Sequence, residues 1–389
     1  MVKAVDINPE SDRVGEFPHP RETMTLLGHD KALQVISDAF ESRSMHHAWL
    51  LAGNRGIGKA TLAYRAARYI LRWPDGKAGG APEDMARDMA VPENDPVVRQ
   101  IAALSHPDLF VLRRQWDDTA KKLKTVITVD DVRRALQLFT YSTAANGWRI
   151  CIVDAADDMN PNAANALLKT LEEPPQRSLF LIIAHQPDRL IATLRSRCRR
   201  LSLAPLQNHD VAAILAAHGP DIRPQDQDLI LSLADGSPGR ALMLAEKENI
   251  SLYRELIALL ETLPGLDMEQ VHGLAERVRR GGSRERAHQA QSSWLLLTTL
   301  LGDWLARLVR QRATGESTPA FPEENTLTAR LCGAADLDCW MEIWEKTVQS
   351  VARADALNMD RGQVLLSAFS DIESVVRGTY RKGPVSWQI

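Results

Sequence analysis

The residues from Ala52 to Thr61 have the types and spacing of a phosphate cradle. Gly53 and Gly58 stand five apart and Lys59 follows directly. In this pattern glycines let backbone N–H groups wrap around phosphates while the lysine reaches the terminal ones. The loop would comprise Gly53, Asn54, Arg55, Gly56, Ile57, Gly58, Lys59, Ala60 and Thr61. A hydroxyl for Mg²⁺ is expected directly after the lysine, but the residue there is Ala60, and Thr61 comes one place too late. A second chemical position is Asp154, which closes the run Arg149, Ile150, Cys151, Ile152, Val153. A carboxylate at the end of such a buried strand is placed to hold Mg²⁺. The next position, where a glutamate would orient an attacking water, is Ala155. The pattern describes a nucleotide site without its hydrolytic groups.

The elements needed to position these residues are also visible. Ala48 to Leu51 reads as a short buried strand entering the loop, and Thr61 to Leu71 as a helix leaving it, so the loop would end at a positive helix N-terminus. His106 to Leu112 and Leu179 to Ala184 are further strands, and Thr125 to Val129 reads as another extended stretch before Asp130 and Asp131, which can cap a helix through Val132, Leu136 and Phe139. Asn160 caps a helix with Pro161 in its first turn and apolar Ala164, Leu167, Leu168 and Leu171; Glu172 and Glu173 sit unfavourably at its C-terminal end. Buried strands alternating with helices argue for a parallel sheet covered on both faces. Beyond Pro205 the strands disappear. Three short helices fill 207 to about 248, the last opening at Gly236 to Arg240, and from Ser251 on the pattern is long helices with apolar stripes. Examples are Trp294, Leu297, Leu301, Trp304 and Leu308, and Trp340, Ile343, Trp344, Val348 and Val351. The polar, proline-containing start reads as a poorly ordered tail, and 73 to 96 as a surface excursion rich in Pro, Gly and acidic residues.

At 389 residues the chain has room for two or three domains, and its 44% apolar and 25% charged residues are ordinary for a soluble protein. A formal net charge of −3 gives no global case for nucleic-acid binding. Neither a signal-peptide pattern nor an apolar membrane span is present, so a cytoplasmic location is expected. The four cysteines, Cys151, Cys198, Cys332 and Cys339, form no C-x-x-C pair, which argues for reduced thiols without a zinc cluster. His46 and His47 beside a core strand read as structural.

Taken together, His47 and Ala48, the phosphate loop, His106 to Asp108, the run from Asn165 to Pro175 and Ser196 to Cys198 resemble bacterial clamp-loader AAA+ subunits over residues 22 to 248. The degraded motifs resemble that family's non-motor members more closely than its gamma/tau motor. The resemblance implies a flexible tail at 1–22, an α/β AAA+ nucleotide-binding-like P-loop domain with a parallel sheet at 23–205, a three-helix lid at 206–248 and an all-α collar for oligomerisation at 249–389. It implies a ring of five subunits that opens the sliding clamp and places it on primed DNA, with gamma/tau motor and delta subunits as partners and no membrane. Carried over by position, Gly53 to Thr61 would be the loop, Asp154 the Walker B acid, Arg240 the lid arginine and Arg197 a finger reaching a neighbouring subunit's ATP. The chain itself would be stator-like, binding ATP or ADP without hydrolysis if at all, as part of a DNA-directed DNA polymerase holoenzyme. Ala184 and His185 stand where a motor has its polar sensor, and residues 71 to 105 lack the four cysteines of many relatives, so no zinc is expected.

Two other classes are weighed. An active AAA+ ATPase, whether a gamma/tau motor or a helicase loader, needs the hydroxyl and the carboxylate that Ala60 and Ala155 replace. A stand-alone DNA-binding module has one strong basic cluster to draw on, Arg195 to Arg200.

Overall fold

A computed structural model describes residues 10–13, 15, 17–117, 119, 122–139, 147–246, 248–279, 284–316, 322–357 and 359–380. The chain divides into two units, Met1–Asp221 with Ala234–Met243, and Ile222–Leu233 with Leu244–Ile389.

The first unit is built on a five-stranded parallel sheet. Its strands are β1 (Ala48–Ala52), β2 (Leu109–Arg113), β5 (Arg149–Asp154), β6 (Ser178–Ala184) and β7 (Arg199–Ser202), in the order β2-β5-β6-β1-β7. A separate antiparallel pair, β3 (Trp116–Asp117) and β4 (Lys122–Leu123), lies between β2 and β5 in sequence. Every residue of β1 and β6 is buried, as strands covered by helices on both faces must be. The helices are α1 (Asp30–Glu41), α2 (Lys59–Arg72), α3 (Glu83–Arg87), α4 (Pro96–Ala102), α5 (Val129–Gln137), α6 (Pro161–Glu172), α7 (Ala192–Ser196) and α8 (Asn208–His218). In α6 the Asn160 side chain accepts from the Ala163 N–H at 2.8 Å, the expected cap. The core between sheet and helices includes Leu50, Val153, Leu167, Phe180 and Ile182.

Four local readings change. Thr125 to Val129 joins no sheet; Ile127 makes one isolated bridge to Met159, and Thr128 caps α5. Thr128 and Asp131 form a reciprocal capping box, so the carboxylate expected at the cap sits three residues inside it. β7 is a strand hidden in an arginine run. As the edge of the sheet it buries only Leu201, and the Arg199 guanidinium lies 4.7 Å over the Trp49 ring. The excursion at 73 to 96 holds a 3₁₀ turn at Gly76–Gly79 and α3, pinned by buried Ala86 and Met89.

The fourth change is the tail. Residues 1–9 lie outside the described residues, but the described part of 10–22 packs against the sheet and α2. His19 is fully buried, edge-on to Tyr64, with Nε2 3.2 Å from the Asp12 carboxylate. Arg113, at the end of β2, pairs with both Glu10 and Asp12. The buried Arg68 of α2 donates to the carbonyls of Pro20 at 3.2 Å and Thr23 at 2.8 Å. A polar segment becomes ordered because guanidinium groups elsewhere satisfy its carboxylates and carbonyls.

The second unit is helical: α9 (Pro224–Ala234), whose last residue belongs to the first unit, then α11 (Asn249–Glu261), α12 (Met268–Val278), α13 (Arg284–Thr314), α14 (Pro322–Cys332), α15 (Leu337–Leu357) and α16 (Arg361–Val376). Between α9 and α11 the chain forms α10 (Pro238–Ala245), most of which belongs to the first unit. The stripe from Trp294 to Leu308 is buried, as are Trp340 and Ile343, whereas Val348 is exposed. Trp294, Trp304 and Trp340 therefore pack inside this unit and do not present their rings outward. Its interior also holds the Glu324 carboxylate between the Tyr253 hydroxyl and Arg307 Nε, each at 2.7 Å.

Candidate nucleotide site and arginine edge

The phosphate loop joins the C-terminal end of β1 to α2, the position where open α/β sheets bind ligands. Gly53 has φ +152, and a Cβ there would stand 2.6 Å from the Leu203 carbonyl oxygen. Gly56 has φ +79, and a Cβ would stand 2.5 Å from Ser237 Oγ. Glycine is required at both by backbone sign and by space.

Five successive loop carbonyls are bonded within the chain. Lys59 Nζ donates to those of Gly53 at 2.6 Å and Asn54 at 2.5 Å. Ser237 Oγ donates to that of Arg55 at 3.0 Å, and the Gly239 N–H to that of Gly56 at 2.9 Å. His29 Nε2 lies 2.6 Å from the Ile57 carbonyl, with the proton on that nitrogen for the bond. Burial pushes the His29 imidazole below its ordinary pKa, which favours the neutral ring this contact uses. Lys59 is itself buried, and desolvation lowers its ammonium to about 8 despite the nearby Asp154 and Asp157.

Asp154 ends β5 as expected and is buried. Burial, reinforced by the negative field of Asp12, raises its carboxyl to about 7, against the smaller opposing pull of Lys59 and Arg55. Asp157 turns its two oxygens to the backbone N–H groups of His185 and Gln186, at 2.6 and 2.8 Å, bracing the exit of β6. Burial, then the charges of Lys59 and Arg55, depress His185 to about 3, so it is a neutral group beside the loop. The half-buried Arg240 opens α10 against the loop: its N–H bonds Ser237 Oγ at 3.3 Å, and a Cβ on Gly56 would lie 3.4 Å from its backbone nitrogen. The structure thus brings the loop, Asp154 and the start of α10 to one end of the sheet.

These residues fit a phosphate group better than a catalytic Mg²⁺. The glycine turn and the α2 N-terminus supply N–H donors and positive potential. Ala60 supplies no oxygen where a hydroxyl ligand to Mg²⁺ would stand. His29, Ser237, Gly239 and Asp157 were not among the residues picked from sequence, because no spacing rule links them to the loop.

Residues 28–207 match the family described as DNA polymerase III, delta subunit. The delta-prime subunit of DNA polymerase III from Pseudomonas aeruginosa is 34% identical over 207 residues, 53% of this chain and 58% of its own length, so the chain spans little more than half of that relative. Its counterpart in Escherichia coli is 31% identical over 275 residues, 69% of this chain and 72% of the relative. This chain belongs to the delta-prime and clamp-loader family of DNA polymerase III subunits. The Escherichia coli tau subunit of DNA polymerase III is also similar, 27% identical over 300 residues, 75% of this chain and 44% of tau.

In this clamp-loader chain Arg197 lies away from its own loop. β1 and β7 run parallel with Trp49 opposite Arg199, so Arg197 stands just before the edge of the sheet where β1 begins, while the loop follows the edge where β1 ends. About five residues of strand, roughly 16 Å, separate those edges. Arg197 caps the C-terminus of α7. Its NH1 donates to the Thr193 carbonyl at 3.0 Å and its NH2 lies 2.8 Å from Glu172 Oε1, with both side chains about a third to a half exposed. This pair accounts for one of the two glutamates that helix electrostatics left unexplained. Among the described residues no helix is long and apolar enough to cross a membrane, and no cluster of His, Cys, Asp or Glu could hold a metal ion.

Proposed function

We propose that this chain is the delta-prime-type, stator-like subunit of a bacterial clamp loader: it does not turn over ATP itself and lends Arg197 to a neighbouring subunit's nucleotide. The carrying observation is that Arg197 sits half-exposed at the edge of the sheet opposite its own loop, where a phosphate of its own site is out of reach. Ala60 and Ala155 in place of the Mg²⁺ hydroxyl and the water-orienting carboxylate support the non-catalytic part. A planar, permanently charged guanidinium suits a phosphoryl transition state in a way lysine does not.

In this proposal residues 23–205 form the AAA+ domain, 206–248 the lid and 249–389 the collar, with gamma/tau motors and a delta subunit as ring partners and the sliding clamp and primed DNA engaged through the complex. The lid arginine is Arg240, and any ATP or ADP in the loop is held without hydrolysis. The similarity to tau favours a motor as the second reading; the missing Mg²⁺ groups oppose it. ATP turnover separates the two. The purified chain alone should show none, and adding it to a motor subunit should raise clamp- and DNA-stimulated hydrolysis only through the assembled complex. Hydrolysis by the isolated chain that Lys59→Ala abolishes would establish the motor.

A further inference from the structure

The geometry points to Glu172 as a positioning residue that holds the Arg197 guanidinium ready for a neighbour's phosphate, an inference that rests on the proposed role of Arg197. Glu172 is the last residue of α6, where the helix dipole disfavours a carboxylate, and Arg197 follows the last turn of α7. Two separate helix ends are thus brought together at one edge of the sheet, and the 2.8 Å pair between them offsets the unfavourable position of the acid. The Thr193 carbonyl takes one N–H from NH1, and the Glu172 carboxylate lies beside NH2 as an ion pair. Three of the five guanidinium donors stay uncommitted by these contacts, enough for planar two-point recognition of phosphate oxygens. A long arginine loses much rotational freedom on binding, and a guanidinium already gripped on two sides loses less.

The pairing is specific within the basic cluster. Arg195 pairs with Asp188 at 3.1 Å, Arg199 stacks on Trp49 and Arg200 Nε bonds Ser202 Oγ at 3.2 Å, so Glu172 serves Arg197 alone among them. Because the pair is partly exposed it is weak, and a phosphate need not compete with a deeply buried salt bridge.

The test uses the full chain assembled with gamma/tau motor and delta subunits, reading clamp- and primed-DNA-stimulated ATP hydrolysis, with complex formation measured for each variant. Glu172→Ala should lower maximal turnover about two- to fivefold, the range of an exposed ion pair, with the KM for ATP unchanged. Glu172→Gln, which keeps an oxygen beside NH2 but loses the charge of the ion pair, should restore only part of it. The double variant with Arg197→Ala should turn over no more slowly than Arg197→Ala alone, because Glu172 acts through Arg197. Additive losses in the double variant would show an independent, structural role and overturn the proposal. So would wild-type or faster turnover in Glu172→Ala while Arg197→Ala is slow, which leaves the finger standing and makes Glu172 a bystander or a restraint. If Arg197→Ala itself turns over normally, the finger reading fails and Glu172 loses its purpose with it.

Discussion

The two ends of the parallel sheet carry comparable chemistry and dispose of it in opposite ways. At the end where β1 gives way to the phosphate loop, a buried lysine, a buried histidine and the start of α10 bond five successive loop carbonyls, and Asp157 binds two backbone N–H groups. At the other end, Arg197 makes one backbone bond and one exposed ion pair. The first set of groups satisfies itself, so its removal should be felt in stability. The second keeps donors to spare on a half-exposed surface, so its removal should be felt in a partner's chemistry. Within one sheet, then, one end is buried and internally satisfied and the other is partly exposed.

Arg197→Ala tests this contrast most strongly. In the assembled complex it should slow clamp- and DNA-stimulated ATP hydrolysis by at least about tenfold, less than the 10³ to 10⁵ of a lone finger in GTPases because other subunits can supply fingers at other sites. Thermal unfolding of the isolated chain should be unmoved. Unaltered hydrolysis and clamp loading would remove the distinction between the two ends.

Gly56→Ala probes the opposite end. A Cβ at φ +79 would strike Ser237 Oγ and crowd Gly239, so a loss of about 2 kcal/mol or more and a drop in Tm of roughly 4 to 8 °C are expected. A variant with wild-type Tm would mean that the loop is not tied to α10 as tightly as its hydrogen bonds indicate.

Asp154→Asn sharpens the comparison through pH. The folded carboxyl keeps its proton to about pH 7, whereas the unfolded one releases it near 3.8. Between those values the folded state binds more protons, so the wild type loses stability as pH rises through this window and levels off above it. The asparagine variant escapes that cost. At pH 8 it should be more stable by about 2 kcal/mol, less than the full shift implies because Lys59 loses a partner charge, and the gain should vanish as pH falls toward 4. Urea titrations at pH 4.5 and 8 that give the same difference would exclude a buried, proton-holding Asp154.

The smallest effect concerns Mg²⁺. With Ala60 after Lys59, ATP binding by the isolated chain should be weak and change less than about threefold when Mg²⁺ is added, as calorimetry can measure. A strong Mg²⁺ dependence would return this end of the sheet to the catalytic class.

Much of this was open to reading in the residues themselves. The glycine spacing before Lys59, the apolar strands ending at Ala52, Asp154 and Ala184, and the Asn160 cap are short-range signals, because glycine freedom, strand burial and helix capping depend on neighbours within a turn or a strand. The same residues also revealed what is missing, since Ala60 and Ala155 carry no oxygen wherever the chain places them. Only the tertiary structure decided how the surviving groups are used. Ser237 reaches the Arg55 carbonyl across 182 positions of sequence, Arg113 collects Glu10 and Asp12 from a stretch that looks like a tail, and Glu172 meets Arg197 because α6 and α7 end at the same edge of the sheet. No local propensity encodes such meetings. The last follows from the strand order β2-β5-β6-β1-β7, which brings the ends of the crossover helices α6 and α7 together, and the other two from segments beyond the sheet that fold back onto it.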